Sequence, residues 1–223
     1  MNAHHSVPAA VVLALVSSVS AFAQGAPTPG VTPQPRWYIA AVGGAVSGPP
    51  AAPLFGGEIA QHLGRHGQAY LTVSYVENLM EGSLRDAIDS RSADLTALTG
   101  DTWSLSGRDR GVVTVAGGKY VFGAGTVRPY VGAGLGAIYL KRTVVEARLG
   151  DVTRAVFNDF ELGDADLSLA TEGVTRPLVE AAFGVGIGTG RTHFDVGYRY
   201  RSAFRMATKL DFSQVTAGIG YRF

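Results

Sequence analysis

The sequence contains no cysteine among its 223 residues, which excludes disulfide bonds and thiol chemistry. It also has no uninterrupted apolar run of the roughly 20 residues that a membrane-spanning helix requires. Its formal net charge is only +1, so nothing in the composition favours nucleic acid as a partner. If this chain spans a membrane, it must do so as a closed β-barrel, because only helices and closed barrels satisfy every backbone polar group in lipid.

Glycine, in contrast, is abundant, with 30 residues concentrated in strand-like runs. The clearest run is the last one, residues 213–223, in which apolar and small or polar residues alternate. One face carries Val215, Ala217, Ile219, Tyr221 and Phe223, and the other carries Gln214, Thr216, Gly218, Gly220 and Arg222. A period of two is the pattern of a β-strand with one apolar face.

The N-terminal region has the pattern of an exported protein. Residues 7–19 are mostly apolar and are followed by the small-x-small triplet Ala21-Phe22-Ala23, which predicts a signal peptide over 1–23. Residues 24–36 contain four prolines and no core-forming pattern, which predicts a semi-extended periplasmic linker. The remaining residues, 37–223, form the predicted folded domain.

Eight strand-like runs follow, and the lengths of their connections alternate. The runs are 37–46, 54–62, 68–76, 111–122, 128–141, 178–188, 193–200 and 212–223. Tight, glycine-bearing turns occupy 63–67, 123–127 and 189–192, whereas the longer connections are 47–53, 77–110, 143–177 and 201–211. Short periplasmic turns opposite long extracellular loops are typical of transmembrane barrels. The predicted fold is therefore an all-β, eight-stranded, antiparallel up-and-down transmembrane barrel.

Side-chain parity assigns each run an exterior and an interior face. The apolar sets are expected to face lipid, and aromatic residues near the run ends are expected to form the interfacial girdles. These aromatics are Trp37, Tyr38, Tyr75, Tyr120, Phe122, Tyr139, Tyr200, Tyr221 and Phe223. The interior face of the last four runs is rich in glycine, which indicates that long side chains cross the lumen there.

In these features the chain resembles the small eight-stranded outer-membrane β-barrels of the OmpA/OmpX type. The resemblance covers residues 37–223 and includes the barrel only; no peptidoglycan-binding domain is expected after it. It implies the outer membrane of a Gram-negative bacterium, with membrane lipid and lipopolysaccharide as surroundings. It also implies that Tyr221 and Phe223, at the end of the closing strand, are an assembly signal for the barrel-assembly machinery.

The charges on the predicted interior face should form a salt-bridge network. They are Glu58, Lys119, Arg128, Glu180, Asp195, Arg199 and Arg222. An unpaired charge inside a narrow barrel costs several kcal/mol, so we expect these groups to pair. Eight strands leave an interior just wide enough for side chains, which favours a closed plug. A narrow conduit for ions or small solutes is the alternative.

No catalytic, cofactor-binding or metal-binding residues are predicted. The Gly132-x-Gly134-x-Gly136 spacing does not match a nucleotide-binding loop. The histidines outside the signal peptide, His62, His66 and His193, lie near the short turns, so the serines of the long loops lack a base. A lipid A-modifying enzyme remains an alternative.

The predicted function is that of a non-enzymatic surface protein with an envelope-structural or adhesion role. It would act through loops 77–110 and 143–177, on an extracellular partner that the sequence does not identify. Within the first loop, Leu84, Ile88, Leu95 and Leu98 have helical spacing, so residues 83–98 form either a short amphipathic helix or an extended hairpin.

Overall fold

The computed structural model describes residues 37–47, 51–77, 79, 82–123, 125–152, 173–204 and 209–223. The predicted signal peptide and linker lie outside the described residues. The elements are β1 (Trp37–Ser47), β2 (Ala52–Leu63), β3 (Gly67–Glu77), α1 (Gly82–Thr99), β4 (Leu105–Val121), β5 (Val127–Glu146), β6 (Gly150–Asp151), β7 (Val174–Thr189), β8 (Thr192–Phe204) and β9 (Lys209–Arg222).

The strands close on themselves. Eight of them hydrogen-bond in the order β4-β3-β2-β1-β9-β8-β7-β5, and a further pairing of β4 with β5 completes the ring. Every one of these pairings is antiparallel. The predicted eight-stranded antiparallel barrel is therefore confirmed. In the described part of the chain, no helix has the length and apolar character needed to cross a membrane.

The two ends of the barrel differ. The short-turn end comprises the β2–β3, β4–β5 and β7–β8 turns, with the start of β1 and the end of β9; Gly64 and Gly190 supply the positive φ angles, 71° and 60°, of two of these turns. The long-loop end holds α1 and the connection from β5 to β7. Two connections that the sequence indicated as longer are in fact brief, because β2 begins at Ala52 and β9 begins at Lys209, five residues after the preceding strands end at Ser47 and Phe204.

The alternation of faces follows the sequence pattern. Large apolar side chains are exposed on the outside of every barrel strand, and they include Ile39, Phe55, Val73, Val112, Leu135, Phe183, Val196 and Val215. The interior face carries the buried core. Tyr38 is an exception to the predicted girdle, because it is 1% exposed and points into the lumen, where the alternation of β1 places even-numbered residues.

Two strands extend well beyond the membrane-facing wall. The predicted fourth run begins at residue 111 and the fifth ends at 141, but β4 begins at Leu105 and β5 ends at Glu146. Five further residue pairs, from Leu105↔Glu146 to Asp109↔Arg142, therefore continue the hairpin past the ends of β3 and β7. Loop boundaries of 77–110 and 143–177 are too wide as a result. We refer to these five pairs as the β4–β5 protrusion.

Residues 83–98 of the first long loop, predicted as either a helix or an extended hairpin, form the helix α1. In α1, Ile88 is buried, but Leu98 is 82% exposed, so the predicted apolar stripe does not pack along its whole length. The helix is tied to the chain that follows it by Ser92, whose hydroxyl donates to the carbonyl of Trp103 at 2.7 Å and accepts from the backbone N–H of Leu105 at 3.2 Å.

Candidate functional site

The interior of the barrel contains a charged cluster centred on Glu58 of β2. Its carboxylate accepts hydrogen bonds from the hydroxyl of Tyr38 and the ammonium group of Lys119. The same carboxylate accepts from Arg199 Nη2 at 2.6 Å and from the hydroxyl of Thr72 at 3.2 Å. These partners come from β1, β4, β8 and β3, so a single carboxylate joins most of the circumference of the barrel.

A second carboxylate, Glu180 of β7, lies beside the first cluster. Arg201 Nε donates to its Oε2 at 2.7 Å, and the hydroxyl of Tyr70 donates to its Oε1 at 2.8 Å. Arg199 Nη1 lies 3.7 Å from Oε1, so this guanidinium links the two carboxylates. Glu58, Lys119, Glu180, Arg199 and Arg201 therefore form one connected network, which we call the lumen network.

Arg201 belongs to this network although the sequence placed it in a loop. It is fully buried on β8, and its Nη1 also lies 3.2 Å from Ser74 Oγ and 3.2 Å from Gln214 Oε1. The sequence could have identified it. Arg201 follows Arg199 by two residues, so it faces the interior as Arg199 does if the predicted strand is extended past residue 200.

Tyrosine side chains fill the space that the interior glycines leave. A Cβ atom added to Gly134 would lie 2.8 Å from the Tyr70 hydroxyl, and one added to Gly184 or Gly197 would lie 2.6 or 2.5 Å from the Tyr130 hydroxyl. The ammonium group of Lys119 lies 5.0 and 4.8 Å from the centroids of the two tyrosine rings, within cation–π range. The sequence pattern predicted that long arginine and lysine side chains cover the interior glycines, and Arg222 over Gly188 and Lys119 over Gly132 do so; the part played by the tyrosines was not predicted.

The short-turn end of the lumen has a different arrangement. Asp195 accepts a hydrogen bond from Tyr130 at 3.0 Å, and Arg222 Nη2 lies 2.8 Å from His193 Nδ1. Arg128 lines the same small cavity, of about 20 Å³, as these groups. Among the described residues neither Arg128 nor Arg222 forms an ion pair with a carboxylate. Three of the seven predicted network members therefore lie apart from the lumen network, at the opening of the barrel: Arg128, Asp195 and Arg222.

Side chains leave little free space inside the barrel. A cavity of this size holds about one water molecule, and the lumen network occupies the cross-section beyond it. Within the described ranges no group of three histidine, aspartate, glutamate or cysteine residues is placed to hold a metal ion. The arrangement is that of side chains packing against one another.

The ends of the barrel strands meet beside the predicted assembly signal. The backbone N–H of Phe223 donates to the carbonyl of Trp37 at 3.0 Å, and the N–H of Trp37 donates to the carbonyl of Phe223 at 3.3 Å. Tyr221 and Phe223 are exposed on the outside, and Arg191 Nη1 donates to the Tyr221 hydroxyl at 2.9 Å. Recognition of these residues by an assembly machinery stays a prediction.

A closed antiparallel barrel of eight strands, apolar outside and charged inside, defines the class as a small outer-membrane-type β-barrel. The chain is similar to the crystal structure of Neisserial surface protein A, with a TM-score of 0.50 and 15% identity over 84% of this chain and 97% of that one. It also resembles the N-terminal barrel of Pseudomonas aeruginosa OprF, with a TM-score of 0.48 and 15% identity over 85% and 98% of the two chains.

A third similar structure is the outer-membrane enzyme PagL, with a TM-score of 0.43 and 11% identity over 83% of this chain and 99% of that one. Comparison with protein-family models and with characterised protein sequences found no match. The similarity to Neisserial surface protein A establishes the fold, in agreement with the OmpA/OmpX-type barrel expected from the sequence.

Proposed function

We propose that this protein is a non-enzymatic surface protein of the Gram-negative outer membrane, which contacts an extracellular partner or supports the envelope through its long-loop end. The observation that carries the proposal is the β4–β5 protrusion. Its five residue pairs correspond to about 17 Å of hairpin beyond the ends of β3 and β7. An ordered surface of this height is positioned to contact molecules outside the membrane.

The protrusion has its own stabilising interactions. Arg142 Nε and Nη2 each donate to one carboxylate oxygen of Asp109 at 2.8 Å, and both side chains are buried. At its tip, Glu146 accepts hydrogen bonds from the backbone N–H groups of Arg148 at 2.6 Å and Leu149 at 2.7 Å. A bidentate arginine–carboxylate pair gives a fixed geometry, so this region holds a defined shape for a partner.

The distribution of polar groups supports the non-enzymatic assignment. His62, His66 and His193 lie at or near the short-turn end, away from the protrusion. A serine nucleophile at the long-loop end would therefore have no described histidine as its base. The filled lumen in turn favours a closed barrel over a conduit.

We derive the proposed partners from the three surfaces of the barrel: its exterior, the end of its closing strand and its long-loop end. The apolar exterior suits membrane lipid, and the strand end at Tyr221 and Phe223 suits recognition by the barrel-assembly machinery during insertion. The extracellular partner is a molecule whose recognition depends on α1 and the protrusion.

Complementation of a strain that lacks this protein tests the proposal. The variants are the parent, a variant in which residues 82–104 are replaced by a short linker, and Arg65→Gln at the short-turn end as the control. We expect the shortened variant to assemble in the outer membrane but to lose surface attachment, envelope resistance to detergent, or both. Full activity of the shortened variant in both assays would contradict the proposal.

The same strains distinguish the alternatives. Lipid A mass spectra that change when the protein is expressed would establish an enzyme, and steady conductance in planar bilayers would establish a conduit. We expect neither signal.

A further inference from the structure

In the part of the barrel wall whose side chains the structure describes, the outward positive charges lie together on one side. Arg108 and Arg110 of β4 and Lys141 of β5 point outward and are exposed. They are the outward-facing cations among the strand residues whose side chains the structure describes. At the outward positions of the other strands the described side chains are apolar, small or uncharged polar, apart from the acidic Glu77 and Asp211.

The register places the three cations next to one another. Arg110 lies directly opposite Lys141, and Arg108 lies opposite Thr143, which makes it the diagonal neighbour of Lys141. Side chains directly opposite on neighbouring strands have Cβ atoms about 5 Å apart, and diagonal neighbours lie about 7–8 Å apart. Like charges in this arrangement repel, so the cluster is stabilised when an anion lies between them.

The interior charges of the same strands behave differently. Asp109, between the two arginines, points inward and pairs with Arg142, the neighbour of Lys141. The outward cations have no such partner among the described residues: no carboxylate there lies within ion-pair distance of them, although Glu77 lies opposite Arg110 on β3. The described residues thus leave the outer side of the cluster open to a ligand from the surroundings.

The outward residues next to the cations, on the side of the short-turn end, show at which level of the membrane the cluster lies. Two positions along each strand toward the short-turn end, the outward residues are Val112 on β4, Tyr139 on β5 and Tyr75 on β3, all exposed. Two residues correspond to about 7 Å along a strand, so the cations lie just above the apolar wall and its tyrosines. Lipid phosphate groups occupy this level in a bilayer whose hydrocarbon core covers the apolar wall.

We propose that Arg108, Arg110 and Lys141 form a binding site for the phosphate groups of an outer-leaflet lipid. Phosphate accepts several charge-assisted hydrogen bonds, and arginine donates two of them in parallel. The acyl chains of such a lipid would lie against the apolar wall below. This inference rests on the proposed outer-membrane location, and it adds a ligand class and a defined side of the barrel.

Native mass spectrometry of the folded, detergent-solubilised mature protein tests the site, with diphosphorylated lipid A and its dephosphorylated form as probes. Each cation near an anionic lipid strengthens binding by about fivefold. We therefore expect Arg110→Gln to weaken binding of the diphosphorylated form by about fivefold, and the triple variant R108Q/R110Q/K141Q by on the order of a hundredfold. Arg110→Lys should retain most of the affinity.

Arg65→Gln, which removes an exposed arginine from the β2–β3 turn, is the matched control and should bind like the parent. Equal binding of both lipid forms by the parent, or unchanged binding by the triple variant, would overturn the site. Reconstitution of the parent into phosphatidylcholine vesicles distinguishes a failure of the lipid-binding site from a failure of the proposed membrane location. A parent that inserts there without phosphate selectivity rejects the site alone, whereas a parent that inserts into no bilayer rejects the membrane location as well.

Discussion

Arg201 Nε donates to Glu180 Oε2 across 2.7 Å, and the side chains of both residues are fully buried. Neighbouring strands β7 and β8 bring them together, since Arg201 is the direct cross-strand partner of Glu180. The same carboxylate accepts from Tyr70 of β3, across the lumen. Glu180 is therefore a point at which two distant parts of the wall are held together.

Replacing Glu180 with alanine should lower the unfolding midpoint of the folded barrel. The change leaves Arg201 buried without its carboxylate, and stranding a buried charge costs about 3–5 kcal/mol. Chemical unfolding in detergent, followed by the heat-dependent shift in gel mobility, measures the loss. Glu77→Ala, at an exposed outward position, is the control. If E180A unfolds at the parent's midpoint, the lumen is hydrated and the plug does not exist.

Asp109 and Arg142 should be coupled energetically within the protrusion. Asp109→Ala is expected to cost about 3 kcal/mol, whereas the double variant D109L/R142M should recover much of that loss, because well-packed apolar residues often replace a buried ion pair without penalty. Hydrogen exchange of the amides in 105–109 and 142–146 reports this locally. Additive losses in the cycle formed by D109L, R142M and D109L/R142M would show that the two residues do not interact.

Interior and exterior glycines should respond differently to a methyl group. A Cβ atom at Gly184 would lie 2.6 Å from the Tyr130 hydroxyl and 2.5 Å from the carbonyl oxygen of Val196, whereas one at Gly118 would have its nearest neighbour 3.9 Å away. We expect Gly184→Ala to destabilise the barrel by about 1–3 kcal/mol through overpacking, and Gly118→Ala to have little effect. Equal unfolding midpoints for the two variants would contradict this account of the lumen.

The lumen network should block ion flow. Planar bilayers containing the parent protein are expected to show no steady conductance, because Lys119, Arg199 and Arg201 are each held by a carboxylate in the cross-section. The mobility shift on heating confirms that the sample is folded. A reproducible steady current from the folded parent would favour the conduit instead.

Much of the fold was predictable from local pattern. A strand has a side-chain period of two, so alternation assigns each residue of β5, β7 and β9 to an inner or outer face without knowledge of its partners. The strand limits were less predictable at the long-loop end. Arg108 and Arg110 resemble loop residues in sequence, but they are the outward residues of a strand that has left the apolar wall.

The interior pairing depends on the closed barrel. Alternation along each strand is enough to assign Glu58, Lys119, Glu180 and Arg199 to the inner face, because facing depends only on a residue's position within its own strand. The contact of Glu58 with Arg199 joins residues 141 positions apart on β2 and β8, which are not neighbouring strands. Which charges meet across the lumen depends on strand tilt and stagger, and these are properties of the closed sheet. For that reason Arg128 and Arg222, alike in sequence to the network residues, lie at the short-turn opening instead.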